Sequence, residues 1–137
     1  MSSFNYKIYK NKKIIIESFT GDINFDFFKE SMLKDFKDPE YVNMKFGVCD
    51  LRKANFTLTN SEIRKSFDFA LKHDKNRTIK WATITNGPNE TAMAMLYELQ
   101  AEKHYGYKIF STLEGASNYL GIKITEEDLS FNIIQLL

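Results

Sequence analysis

The sequence predicts an α/β fold in which a β-hairpin leads into repeated helix–strand units, with five strands and about four helices. Three observations carry that expectation. The first segments alternate in polarity with a period of two residues. Apolar residues then recur at three- and four-residue spacing, and each change of period is marked by turn or cap residues.

Phe4, Tyr6 and Ile8 fall on one face of the first segment and Asn5, Lys7 and Tyr9 on the other, as in a half-buried strand. Lys10-Asn11-Lys12-Lys13 is the turn, and Ile14-Ile15-Ile16 with Phe19 is the returning strand. Its unbroken β-branched run predicts that both faces are covered. Thr20-Gly21-Asp22 is expected to end it. Phe25, Phe28, Met32 and Phe36 then make an amphipathic helix, with Lys29, Glu30 and Asp35 as the polar positions between them. That helix stops at Asp38-Pro39, because proline disfavours the α region in the residue before it.

Phe46–Leu51 is the third predicted strand. Thr59-Asn60-Ser61-Glu62 has capping-box spacing and opens a helix with Ile63, Phe67, Ala70 and Leu71 on its apolar stripe. The fourth strand spans Ile79–Thr85, and Asn86-Gly87-Pro88-Asn89 is a turn with Pro88 suited to a helix's first turn. The helix after it runs through Met93, Leu96, Tyr97 and Leu99 to about Tyr105, with Gly106 expected in the left-handed position beyond its end. Tyr107–Ser111 is the fifth strand, and Thr112 and Gly121 bracket a last helix carrying Leu113, Ala116 and Leu120. The tail, 122–137, is open between a further capped turn at Thr125-Glu126-Glu127-Asp128 and a strand over residues 131–137. So apolar an ending is expected to pack on the domain or on a second subunit.

A chain of 137 residues is the length of one domain, and no repeat, linker or low-complexity segment divides it. The 27% charged residues and the mean hydropathy of -0.39 are those of a globular protein rather than a disordered or membrane one. The 12 Phe and 7 Tyr read as an aromatic core. Lys and Arg number 19 against 18 Asp and Glu, so the basic excess that nucleic-acid binding calls for is missing. The tight basic cluster, Lys10, Lys12 and Lys13, belongs to the hairpin turn. No secretory h-region follows Met1 and no apolar run is long enough to cross a membrane, so the cytoplasm is the expected compartment. The glycosylation sequons at Asn55 and Asn89 are then chance matches.

Enzymatic signatures are sparse. The sequence holds no P-loop, no Gly-x-Gly-x-x-Gly, no Gly-x-Ser-x-Gly and no Cys-x-x-Cys. Cys49, in Phe46-Gly47-Val48-Cys49, reads as a small buried hydrophobe. His73 and His104 fall near helix ends and have no ligand-spaced partner, so neither a metal nor a cofactor is expected. In open α/β sheets, ligands gather beyond the carboxyl ends of the parallel strands. Two segments meet there, Asp50-Leu51-Arg52 followed by Thr57 and Thr59, and Thr85-Asn86-Gly87-Pro88-Asn89. The candidate binding residues are therefore Asp50, Arg52, Thr57, Thr59, Thr85, Asn86 and Asn89. The bland alternative is a strand-end ion pair and ordinary turn chemistry.

Four pieces in this order carry a family likeness: Tyr6-Lys7-Ile8-Tyr9; Ile14-Ile15-Ile16-Glu17 leading to Gly21; Gly47-Val48-Cys49-Asp50-Leu51-Arg52; and Ile109-Phe110-Ser111-Thr112-Leu113-Glu114-Gly115-Ala116. The chain resembles the SpoIIAA-like family, whose fold is that of the STAS domains, the anti-sigma-factor antagonists and cytosolic tails of sulfate transporters. The resemblance implies a mixed five-stranded sheet and a regulatory, protein-binding role. In the antagonists it also implies a phosphorylatable serine in an Asp-x-Ser-Gly motif after the third strand. Here the stretch reads Asp50-Leu51-Arg52-Lys53-Ala54, with no serine and no glycine. The nearest hydroxyls, Thr57, Thr59 and Ser61, follow several residues later.

Three functions stay open on the sequence. The leading one is a non-enzymatic module that binds a protein or a second copy of itself. Another is a carrier or sensor of a small apolar or anionic ligand, with Phe25, Phe28, Phe67, Phe69 and Tyr97 lining a pocket between helices and sheet. The least supported is an enzyme with Asp50 as general base.

Overall fold

Two strands, β1 (Ser3–Tyr9) and β2 (Ile14–Ile23), form the antiparallel hairpin that the alternation predicted. The structure is a computed structural model that describes residues 2–131. The hairpin turn closes with the Lys13 amide donating to the Lys10 carbonyl over 3.2 Å, and Lys13 takes a positive φ of 55°.

Beyond the hairpin come α1 (Phe25–Lys37), a 3-10 turn at Tyr41–Asn43, β3 (Phe46–Phe56), α2 (Asn60–His73), β4 (Lys80–Ile84), α3 (Pro88–Ala101), β5 (Gly106–Phe110) and α4 (Leu113–Leu120). The sheet order is β1-β2-β3-β4-β5, with β1 antiparallel to β2 and every other neighbour parallel. The sheet is therefore mixed.

Side-chain alternation divides the core into two layers. On one face Ile14, Ile16, Val48, Ala82 and Ile84 pack against α4 and the segment after it, through Ala116, Leu120, Ile124 and Leu129. The opposite face carries Ile15, Phe19, Leu51 and Trp81 and is covered by α1, α2 and α3. The isoleucine run of β2 is thus buried on both faces, as its composition predicts.

Helix ends follow their cap chemistry. Asn24, Thr59 and Thr112 accept backbone N–H donors at the starts of α1, α2 and α4, and Thr59 with Glu62 completes a capping box. Gly121 ends α4 at φ 73°, where a Cβ would be strained.

Three element boundaries and the burial of one side chain differ from the sequence expectation. Thr20-Gly21-Asp22 does not end β2; the strand continues to Ile23 through a register shift between Ser18 and Thr20, and Gly21 takes a φ of 78°. β3 runs on to Phe56 instead of stopping at Leu51, because the extended β2 supplies it with a partner as far as Ile23. α3 ends at Ala101, and Gly106 opens β5 rather than capping a helix. Asp35 is 2% exposed instead of lying on the polar side of α1.

In the tail, Thr125 and Asp128 cap a turn reciprocally, and Ile124 and Leu129 enter the core. Of the strand expected over 131–137, residues 132–137 lie outside the described residues.

Candidate functional site

Asp50 and Arg52 project from β3 on the α4 side of the sheet, two residues apart and so on the same face. Asp50 is 5% exposed. Arg52 donates from Nε to Asp50 Oδ1 over 2.9 Å and from Nη2 to Asp50 Oδ2 over 3.1 Å. Its other edge donates to Glu126 in the turn after α4, from Nη1 to Oε1 over 2.7 Å and from Nη2 to Oε2 over 3.0 Å. Hydrogen bonding to Glu126 and then to Asp50 raises the guanidinium further above its already high value. The same bond holds the Glu126 carboxyl below its usual range. Four of the five guanidinium donors are therefore taken by carboxylates of this chain, and the fork ties the turn after α4 to the sheet. Around it lies a shallow polar depression lined by Ser18, Thr20, Lys53 and Asn86.

Among the sequence candidates, Asp50, Arg52 and Asn86 come together at this depression. Thr57 and Thr59 do not line it. β3 continues past Arg52 to Phe56, which carries them away by about 3.3 Å per residue. Thr57 Oγ1 donates to the Ile23 carbonyl over 3.3 Å, and Thr59 caps α2, accepting from the Glu62 amide over 3.1 Å. Thr85 is 2% exposed, with its hydroxyl 2.7 Å from that of Thr91. Asn89 is exposed in the first turn of α3.

On the other face, sheet and helices enclose a cavity of about 100 Å³. Phe28 and Tyr97 line it as expected. Phe67 instead packs edge-on against Tyr97 at 5.6 Å, and Phe25 and Phe69 lie outside with the Lys29 ammonium over both rings. Two carboxyls that the sequence reading did not single out enter the cavity, Glu17 from β2 and Asp35 from α1. Glu17 is 7% exposed and Asp35 2%. Burial, then the charge and hydrogen bond of Glu17, pushes the Asp35 carboxyl well above the carboxylate range. Burial also raises Glu17, opposed by hydrogen bonds from Asp35 and Cys49. Burial and mutual repulsion thus favour the protonated form at both carboxyls. Asp35 Oδ1 has no hydrogen-bond partner among the described residues. Burial and the Glu17 charge push the Cys49 thiol well up, which leaves it a poor nucleophile.

A legible signal preceded both carboxyls. Glu17 follows three isoleucines in a strand with both faces covered, and Asp35 stands three residues after Met32, on the apolar stripe of α1.

α3 carries a third feature. Its inner side packs Ala94, Tyr97 and Ala101 toward the sheet. Pro88, Ala92, Met95 and Leu99 recur at four-, three- and four-residue spacing on the outer side, and all are exposed, Met95 by 55% and Leu99 by 60%.

Among the described residues, no group of three or more His, Cys, Asp or Glu could hold a metal ion, and no helix is long and apolar enough to cross a membrane. No family model matches the sequence, and no curated protein matches it. Solved structures do. An uncharacterised protein of the DUF3478 family with a SpoIIAA-like fold, from Shewanella loihica, superposes with a TM-score of 0.59 at 13% identity, over 88% of this chain and 95% of that one. An anti-sigma factor antagonist from Mycobacterium paratuberculosis superposes with a TM-score of 0.55 at 17% identity, over 85% of this chain and 92% of that one. The mixed five-stranded sheet and the four helices agree with the resemblance read from the sequence, and the chain has a SpoIIAA-like fold.

Proposed function

We propose that this chain is a non-enzymatic regulatory module of the cytoplasm that works by binding a protein, and that the outer face of α3 is its contact surface. The observation that carries this reading is the exposed stripe Pro88, Ala92, Met95 and Leu99. A helix apolar on both its inner and outer sides belongs between two packed surfaces, and the domain itself supplies only the inner one. Large exposed side chains one turn apart are the shape a partner helix or a second copy of this chain packs into. Asn86 and Asn89, where α3 begins, are the polar residues proposed at the edge of this surface; the Asp50–Arg52 pair lies on the other side of the sheet and is not part of it. The Mycobacterium paratuberculosis structure is named an anti-sigma factor antagonist, which accords with a protein partner.

The potential catalytic groups support a binding role over chemistry. Asp50 is held by Arg52, and Cys49 is kept protonated.

Sedimentation velocity over a range of concentrations, with affinity capture and reconstitution from purified components, tests the reading. The wild type is expected to form a dimer or a reconstituted complex. Met95→Glu with Leu99→Glu is expected to weaken it at least tenfold, while the far-UV circular dichroism stays native. A wild type that stays monomeric and reconstitutes with nothing, or a double variant that associates as well as wild type, overturns it.

A further inference from the structure

The cavity under α1–α3 has aromatic walls, among them Phe28, Phe56, Trp81 and Tyr97, and an acidic polar end made by Glu17 and Asp35. Among the described residues, no lysine, arginine or histidine lines it. Asp35 is 2% exposed, yet its Oδ1 has no partner among the described residues. A buried acceptor left unpaired is costly, and the residue that carries it lines the cavity.

We infer that this cavity is a binding site for a small organic amine, held as its ammonium by the Glu17 and Asp35 carboxyls against the aromatic walls. Charge selects this class. Three carboxyl-bearing residues, Glu17, Asp35 and Glu90, line the cavity, and among the described residues no basic side chain balances them. The titratable groups around it are acids throughout: Glu17 from β2, Cys49 from β3, Asp35 from α1, Glu90 and Tyr97 from α3, Tyr105 after that helix, and Tyr107 from β5. Behind Tyr105 stands Asp74, which accepts its hydroxyl over 3.1 Å. An ammonium balances the charge and brings three donors, and the ring faces attract a cation. An anion meets only acidic groups, and a neutral apolar guest brings no donor to the acidic end. Size sets the other bound. A cavity of roughly 150 Å³ takes benzene, so this smaller one admits a guest of no more than about six non-hydrogen atoms.

Trp81 is the single tryptophan of the chain and lines the cavity, so its emission reports occupancy. The purified protein is titrated at neutral pH with n-butylamine, n-butanol and butyrate, matched in shape and differing in charge. The amine is expected to give a saturable change in Trp81 emission, with the alcohol and the acid at least tenfold weaker. Asp35→Asn and Glu17→Gln are each expected to weaken amine binding at least tenfold with native circular dichroism. If neither variant folds, the wild-type selectivity among the three probes decides alone. Equal affinity for the three, no saturable change with the amine, or full amine binding by either folded variant overturns the assignment.

Discussion

Arg52 illustrates how burial sorts two interactions of one side chain. Its fork grips Asp50, 5% exposed, and Glu126, whose side chain is 69% exposed. Removing the guanidinium leaves the Asp50 charge in a site with little water, whereas removing the Glu126 carboxyl deletes one half of a solvated pair. Arg52→Ala is therefore expected to cost about 2–3 kcal/mol, and Glu126→Ala no more than about 0.5 kcal/mol, as read from urea midpoints at constant m-value. Equal losses would show that the bridge to the C-terminal turn, and not the grip on Asp50, is what stabilises. The sequence put both residues at the right end of the sheet. It could not show that Glu126, from a distant segment, would take the other half of the fork.

The contact between β3 and β4 turns on the absence of one side chain. Gly47 pairs in register with Trp81, and a Cβ built on Gly47 would stand 2.4 Å from the indole Cε3. Trp81 lies flat over the Gly47 backbone, and its bulk cannot shift without opening the cavity wall. Gly47→Ala is expected to destabilise the protein by about 1–3 kcal/mol, with a shift in tryptophan emission that reports a displaced indole. An unchanged urea midpoint with unchanged emission would mean that the wall is soft. The same scale explains the longer strands. β2 and β3 extend each other by pairing out to Ile23 and Phe56, beyond the point where their own sequences turn polar. Pairing overrides local propensity there.

Stability of the whole molecule should respond to the buried carboxyl pair. Glu17 and Asp35 both titrate above their unfolded values. The folded state consequently binds more protons than the unfolded state once pH exceeds about 4, and stability falls as pH rises through the folded values. The slope is expected to approach about 1.4 kcal/mol per pH unit for each retained proton. Asp74 is also raised by burial and contributes in the same direction. The lowered carboxyls, Glu126 and Asp128, act oppositely and only at acid pH. Urea midpoints from pH 5 to 8 are expected to fall with rising pH in the wild type, and the fall should shrink in Asp35→Asn. A midpoint that rises over that range would contradict a protonated pair.

The sequence by itself determined the element order, the caps at Thr59 and Thr112, Gly121 as the end of α4, the doubly covered isoleucine strand and the SpoIIAA-like likeness, because periodicity and capping act over a few residues. It also placed Asp50, Arg52 and Asn86 near one another, because the carboxyl ends of parallel strands share one edge. Tertiary structure decided the rest. Whether β3 stops at Leu51 or Phe56 depends on a partner strand far away in sequence, and that choice carried Thr57 and Thr59 away from the depression. Whether Asp35 faces water or a cavity depends on which side of α1 meets the sheet, and three- and four-residue spacing leaves the margin of that side undefined by one residue. Which apolar residues of α3 face out could be settled only once the sheet had taken the others. That the outer stripe of α3 is left uncovered, and that the two carboxyls line one cavity, became visible only in the folded chain.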